Sequence, residues 1–376
     1  MRLIAPSQSP AANGSRNRPH HVVDENRRRG RGARSNATGR FERTNDADFD
    51  DGWGSLAALD AFATVVTNED AKSIISTNDS PDLSFDRSIN PYRGCEHGCI
   101  YCYARPTHAY LGLSPGLDFE TQIFAKRNGA TLLRQALNKP EYEPKSIALG
   151  AVTDPYQPTE RRLGLTREIL EVLEACKHPV GIVTKSNLVT RDIDILARMA
   201  EQNVAKVAIS ITTLDRQVAR KMEPRAATPE RRLDAIRQLS AAGIPTTVMV
   251  APIVPGLTDH ETEAILERAR EAGATSAGYV MLRLPLELKD LFREWLETDF
   301  PDRASRVIKL LQSMHGGQDY RADFGLRQKG SGPFAELIAK RFALSLRRFG
   351  LLRRAAPLRT DLFRPSGGIG RQLNLI

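Results

Sequence analysis

The stretch Asn90-Pro91-Tyr92-Arg93-Gly94-Cys95-Glu96-His97-Gly98-Cys99-Ile100-Tyr101-Cys102-Tyr103-Ala104 holds three of the chain's four cysteines in the spacing C-x3-C-x2-C. Gly94 and Gly98 give the loop the curvature needed to aim three thiolates at one place. Soft thiolates select iron–sulfur clusters, zinc or cuprous copper. A structural zinc ion takes four protein ligands, so a zinc knuckle here would have to recruit His97 or Cys176. A 4Fe–4S cube held by three cysteines instead leaves one iron open to a small molecule. A disulfide is not expected beside a third thiol, and so few cysteines point to a reducing, cytoplasmic setting. Cys176 falls on an apolar helical stripe with Leu165, Ile169, Val172 and Leu173, where it reads as a small buried hydrophobe. His97 is expected to face solvent or backbone.

Outward from this loop, short β-rich runs alternate with helical patterns, which is the sign of βα units around a parallel sheet. The runs are residues 83–90, 146–151, 180–184, 204–212, 246–253 and 276–284. Between them, Thr228-Pro229 opens a helix that Gly243 stops, and Thr258 with Glu261 reads as a capping box for a helix ending at Gly273. Six strands each followed by a helix predict an α/β fold, a partial (β/α)6 TIM-like barrel. After residue 285 the pattern is helical, around 287–297, 303–314 and 334–348. The expected organisation is therefore a disordered basic N-terminal region over 1–70, a core over 71–285, a helical extension over 286–350 and a basic tail over 351–376.

A hydrophobic fraction of 41% over 376 residues supports a sizeable core and excludes wholesale disorder. No apolar run approaches the roughly 18 residues of a membrane helix, and the opening apolar stretch is too short for a signal peptide. The net charge of +9 is unevenly placed. Residues 1–44 carry ten Arg against three acids, and residues 321–376 carry twelve Lys and Arg against three acids, so the intervening body is acidic. The run Arg27-Arg28-Arg29-Gly30-Arg31-Gly32-Ala33-Arg34 has too little apolar surface to offset its ordering entropy and reads as disordered. Any nucleic-acid footprint would have to come from these ends.

The cysteine triplet, with Tyr101 just before its last member and a predicted strand before it, resembles the radical S-adenosylmethionine (radical SAM) superfamily. Within that superfamily the chain looks like the group related to spore photoproduct lyase. The matching stretches are Asn90-Pro91-Tyr92-Arg93-Gly94-Cys95, Thr153-Asp154-Pro155-Tyr156-Gln157-Pro158, Thr184-Lys185-Ser186 and Pro252-Ile253-Val254-Pro255-Gly256, spread over roughly residues 83–285. The resemblance implies a 4Fe–4S cluster on Cys95, Cys99 and Cys102, with S-adenosylmethionine at its open iron. It implies that Tyr101 lies beside the adenine and that Lys185 meets the cofactor carboxylate. Thr153 and Asp154 end the second strand, where the superfamily binds the amino group; the usual Gly-Gly-Glu is absent. Ser210, on the same strand face as Thr212, is a candidate for a ribose or carboxylate hydrogen bond, and Arg225 is an anion-binding candidate after the fourth strand.

The implied activity is reductive cleavage of S-adenosylmethionine to a 5′-deoxyadenosyl radical that abstracts hydrogen from a substrate. Its partner would be a one-electron reductant of the flavodoxin or ferredoxin type. The spore-photoproduct relatives use a further cysteine near the end of the second strand as hydrogen donor; residues 146–160 contain none here. That departure argues against thymine-dimer repair, while the basic ends keep nucleic acid open as a substrate. The reading from a different class is a zinc-stabilised, non-catalytic nucleic-acid-binding protein.

Overall fold

The computed structural model describes residues 23–42 and 61–365. Ten strands form two sheets: β1 (Val65–Asn68), β2 (Ile75–Thr77), β3 (Arg87–Ile89), β4 (Tyr92–Arg93), β5 (Gln122–Ala125), β6 (Ile147–Leu149), β7 (Val180–Thr184), β8 (Ala205–Ser210), β9 (Thr246–Ile253) and β10 (Ser276–Met281). The larger sheet runs β10-β9-β8-β7-β6-β3-β2. The five pairings from β3 to β10 are parallel, and β2 joins antiparallel at the edge. All six expected strands are present in the expected order. Among the described residues β10 and β2 do not pair, so the barrel is open. A second sheet, β1-β5-β4, braces the cysteine loop.

One face of the parallel sheet buries Ile147, Leu149, Ile182, Val207, Ile209, Val248 and Val250 against the surrounding helices. Burying each such side chain contributes roughly 1.5–3 kcal/mol, so this layer dominates the stability of the core. Among the alternate residues Ala148, Gly181, Ala208, Ala251 and Gly278 are small and leave parts of the inner face room, while Val183, Lys206 and Met249 are larger. Cys176 is fully buried in the apolar layer, as its stripe predicts.

The helix Pro229–Ala241 starts as expected: Thr228 Oγ1 accepts from the Arg231 N–H at 3.4 Å, and Gly243 ends the turn at φ +74°. The capping box at Thr258 does not form. Thr258 Oγ1 accepts from the Val254 N–H at 3.0 Å, while Glu261 reaches Thr213 Oγ1 (2.5 Å) and the Leu214 N–H (2.6 Å) instead. The helix proper begins only at Thr262.

The extension consists of helices Leu288–Asp299, Pro301–Met314 and Gly332–Phe349. Phe292, Trp295 and Val307 from the first two pack into one cluster with Cys99, Ile100 and Tyr101, so the extension supports the cysteine loop. No helix among the described residues is long and apolar enough to cross a membrane.

The N-terminal end differs from expectation. Disorder over 1–70 is corrected for the described part: residues 23–42 are packed, with Val23, Arg31, Gly32, Ala33 and Ser35 buried, and Val65–Asn68 is a strand. Their partners are acids and carbonyls far along the chain, which composition cannot reveal. Residues 1–22 and 43–60 lie outside the described residues, as do 366–376 of the basic tail. Residues 351–365 run across the N-terminal ends of the strands. The Leu352 N–H donates to the Thr275 carbonyl (3.0 Å), the Arg359 N–H to Asn203 (2.9 Å) and the Arg364 N–H to Cys176 (2.9 Å).

Candidate active site

The cysteine loop leaves the C-terminal end of β3, where chemistry sits in an open βα barrel. Asn90 Oδ1 accepts from the N–H groups of Val152 (2.8 Å) and Thr153 (3.3 Å), tying this strand end to its neighbour. Gly94 turns the chain at φ +77°, where a Cβ would meet the carbonyls of Gln122 and Phe119 at 3.0 Å. Arg105, fully buried, then gathers the loop's carbonyls. It donates to Cys99 (2.9 Å), Gly98 (3.0 Å), Gly116 (2.9 Å) and Pro115 (3.2 Å), and pairs with Glu120 at 2.5 Å. Neither Arg105 nor Glu120 stood out in the sequence, because their partners are main-chain carbonyls and a distant arm.

The three thiols are free, with Cys95 and Cys99 only 7% exposed and Cys102 half-buried. Burial pushes the Cys95 thiol up, reinforced by Asp154 and by the neighbouring Cys99 and Cys102. Burial and Glu223 push Cys99 up to about 12, against the opposing charge of Lys185. Three adjoining thiols in so apolar a pocket need a strongly cationic partner to stay ionised. Among the described residues, however, no three His, Cys, Asp or Glu side chains surround a single metal-ion position. A 4Fe–4S cube takes each thiolate at a separate corner and needs no such single meeting point, so three thiols on one loop are a donor set that suits it.

His97 is neither solvent-directed nor placed as a ligand: it is buried with Nδ1 3.3 Å from Asp154 Oδ2. Asp154 is a hub. Oδ1 accepts from Thr184 Oγ1 (2.7 Å) and the Tyr156 N–H (2.9 Å), and Oδ2 from the Lys185 N–H (2.7 Å). Burial works against its charge, but His97 and these donors outweigh burial and hold the carboxyl at about 2. Asp154 thus stitches the cysteine loop to the ends of β6 and β7, with both oxygens engaged. The Thr153 hydroxyl is likewise engaged, donating to the Tyr92 carbonyl at 2.9 Å. Arg225 pairs with Glu96 at 3.3 Å, beside Cys95.

Tyr101, Lys185 and Ser210 come together around a residue the sequence reading passed over. Tyr101 donates its hydroxyl to Glu223, which also accepts from Thr212 Oγ1 (2.7 Å) and from Arg232. Glu223 lay two residues before Arg225, in Glu223-Pro224-Arg225, where only a buried position would have marked it out. Burial raises its carboxyl, but Arg232 and Lys185 outweigh this and hold it low. The Lys185 ammonium lies 5.7 Å from the Tyr101 ring centre. Burial pulls that ammonium down, while Cys99 and Glu223 outweigh burial and keep it above its usual range. Among the described residues it has no carboxylate within ion-pair distance. The Ser210 carbonyl accepts from Arg232 at 3.0 Å, and its hydroxyl has no hydrogen-bond partner among the described residues. Tyr103, Val152 and Val183 are exposed around the same mouth, with the Arg283 guanidinium 4.3 Å over the Tyr103 ring.

The family model of the radical SAM superfamily matches residues 89–269, which includes the triplet and five of the six parallel strands in whole or part. The chain belongs to the radical SAM superfamily. An uncharacterized protein of Mycobacterium tuberculosis is 40% identical over 230 residues, 61% of this chain and 68% of that one. An uncharacterized protein of Methanocaldococcus jannaschii is 28% identical over 214 residues, covering 57% and 76%. A radical SAM Nα-GlyT isomerase of Pseudomonas phage M6 is 27% identical over 173 residues, covering 46% and 34%. Among solved structures, a mutant spore photoproduct lyase superposes with a TM-score of 0.56 at 18% identity, covering 76% of this chain and 79% of that one. At that identity the likeness establishes the shared fold. As a radical SAM protein, the chain has a 4Fe–4S cluster and S-adenosylmethionine as its cofactors.

Proposed function

We propose that this radical SAM protein binds its cluster through Cys95, Cys99 and Cys102 and acts on a substrate held over the inner face of the open barrel. When bound, the two cofactors supply a 5′-deoxyadenosyl radical by one-electron reductive cleavage of the sulfonium, and that radical takes a hydrogen atom from the substrate. The chain's own residues orient and shield. Lys185 offers an ammonium with no carboxylate within ion-pair distance among the described residues, suited to the amino-acid carboxylate of S-adenosylmethionine. Ser210, on the neighbouring strand β8, offers a hydroxyl with no hydrogen-bond partner among the described residues, and Tyr101, fixed by Glu223, offers a ring to the adenine. Asp154 and Thr153 support this site as struts of the loop rather than through free acceptors. Arg225 does the same through Glu96. The small inner-face residues leave space, and the loop and extension exclude water from the radical.

The observation that carries this reading is the donor set: three thiols on one loop, Cys95 and Cys99 buried and Cys102 half-buried, at the C-terminal end of the first strand of the parallel series. The zinc-stabilised alternative lacks the convergent fourth ligand it requires, since His97 faces Asp154 and Cys176 is in the helical core. The reductant would be a small one-electron carrier. A nucleic-acid substrate has less support than the charge split suggested, because Arg31, Arg34 and Arg40 are engaged within the chain.

The test is anaerobic reconstitution with iron and sulfide, followed by a strong reductant and S-adenosylmethionine. Slow release of 5′-deoxyadenosine is expected even without substrate; none from a fully loaded cluster would refute the enzyme reading. A spore-photoproduct dinucleotide should remain unrepaired. Cys176 cannot replace the missing donor from the core, so observed repair would move Tyr103 into the donor role.

A further inference from the structure

The Arg-rich segment, read from sequence as a free arm, is built into the cysteine loop. The N–H of Gly32 donates to Glu120 Oε2 and that of Ala33 to Oε1, both at 2.8 Å. Glu120 is fully buried, and its third donor is Arg105, which also holds the carbonyls of Gly98 and Cys99. One carboxylate therefore connects residues 32 and 33 to the turn between the first two cysteines. The fit is tight: a Cβ on Gly32 would lie 1.8 Å from the Gly98 carbonyl oxygen, and one on Gly98 would lie 2.6 Å from Glu120 Oε2. Only glycine at both positions lets the two backbones approach this closely.

Arg31 adds a second connection. It donates to the Glu120 carbonyl (3.0 Å), the Phe62 carbonyl (2.8 Å) and Thr64 Oγ1 (3.1 Å), and Thr64 in turn donates to Glu96 Oε1 at 2.7 Å, next to Cys95. Further along, Arg34 pairs with Asp299 (2.5 Å), Ser35 with Glu294 (2.7 Å) and Arg40 with Glu287 (2.9 Å), which fastens the segment to the helical extension.

We infer that residues 31–33, acting through Glu120 and Arg105, are a positioning clamp that sets the backbone of the cysteine loop before any cofactor arrives. The inference rests on reading the triplet as cluster ligands, but its first readout does not. Free arms in this region would exchange their amides fast; a clamp makes loop order depend on residue 32. The loop then presents its thiols at fixed corners, and loading the cluster costs less ordering entropy.

The test compares Gly32→Ala and Glu120→Gln with wild type in the full-length chain. Hydrogen exchange of residues 94–102, measured before reconstitution, should accelerate by about tenfold or more in both variants, while β8 and β9 keep their protection. After reconstitution, iron should be chelated from the variants faster than from wild type, and the spectrum of the reduced cluster should broaden. Should Gly32→Ala unfold the barrel as well, Glu120→Gln decides, since it keeps the side-chain volume. Wild-type protection of 94–102 in that variant overturns the clamp. A wild-type chain that takes up no iron sinks the cluster reading instead, and leaves the exchange result standing.

Discussion

Replacing Glu223 with glutamine removes one charge from a deeply enclosed ion pair beside the cysteine loop. Arg232 and Glu223 are both within 3% of full burial. Breaking a buried pair by neutralising one partner typically costs 3–5 kcal/mol, because the other charge is left uncompensated. Two features put Glu223→Gln at the lower end, about 3 kcal/mol. The amide oxygen still accepts from Tyr101 or Thr212, and Arg232 keeps its bonds to the carbonyls of Ala227 (2.8 Å) and Ser210 (3.0 Å). The assay is urea denaturation of the full-length chain under reducing conditions, read as a shift in midpoint at unchanged slope. Glu223→Gln combined with Arg232→Met should recover at least half of the loss, since a neutral pair of similar volume removes the stranded charge. A loss under about 1 kcal/mol, near the value of an ordinary exposed pair, would refute the argument that this network is desolvated. So would a double variant as destabilised as the sum of its singles.

Three other perturbations separate the site from its scaffold. Alanine at Cys95, Cys99 or Cys102 should abolish iron and sulfide retention, whereas Cys176→Ala should keep the full complement and cost only about 1 kcal/mol or somewhat more in denaturation. Lys185→Ala should weaken S-adenosylmethionine binding by about tenfold or more, measured by equilibrium binding to the reconstituted chain, with iron content unchanged. His178 gives a pH signature far from the cluster: burial holds its imidazole at about 4, the charge of Arg87 adds to the effect and the Pro179 carbonyl opposes it. The unfolded chain takes up that proton first, near 6.5, so stability should be flat above pH 7 and fall by up to about 3 kcal/mol between pH 6.5 and 4. His178→Gln should flatten that decline in a pH series of melts, and an unaltered slope would mean that another group carries it.

The six parallel strands were legible because strands buried against helices give short apolar runs bounded by turns, as Val180–Thr184 and Thr246–Ile253 do. The small sheet of Val65–Asn68, Tyr92–Arg93 and Gln122–Ala125 was not, because runs of two to four residues carry no period of their own. The failed capping box shows the same limit from another side. Thr258 and Glu261 have the right spacing, but Val254 and Leu214 offer N–H partners that only the folded chain brings near. At the site, spacing alone gave the thiols, and resemblance gave Lys185. Glu223, Arg105 and Glu120 stayed invisible, since buried charges are recognised by their partners and those lie 6 to 122 residues away.

The charge split has an internal explanation at both ends of the barrel. At the mouth, Arg34 and Arg40 neutralise Asp299 and Glu287 of the acidic body, and the segment carrying them is fastened to the cysteine loop. At the base, Lys206 donates to the Ala356 carbonyl at 3.3 Å, Leu352 bridges Ser276, and Phe363 stacks edge-on to His178 with ring centres 5.4 Å apart. Burial lowers the Lys206 ammonium, as expected for a cation enclosed beneath this segment. Arg341 pairs with Glu263 at 2.6 Å and so holds the last helix against the barrel. An excess of positive charge confined to two terminal segments is therefore compatible with closure as well as with a polyanionic partner, and in the described residues its ion pairs are with the chain itself. With the base covered, the inner face is reached from the side where Cys102, Tyr103, Val152 and Val183 lie. The function proposed above therefore has the substrate approach the cysteine triplet from that same side.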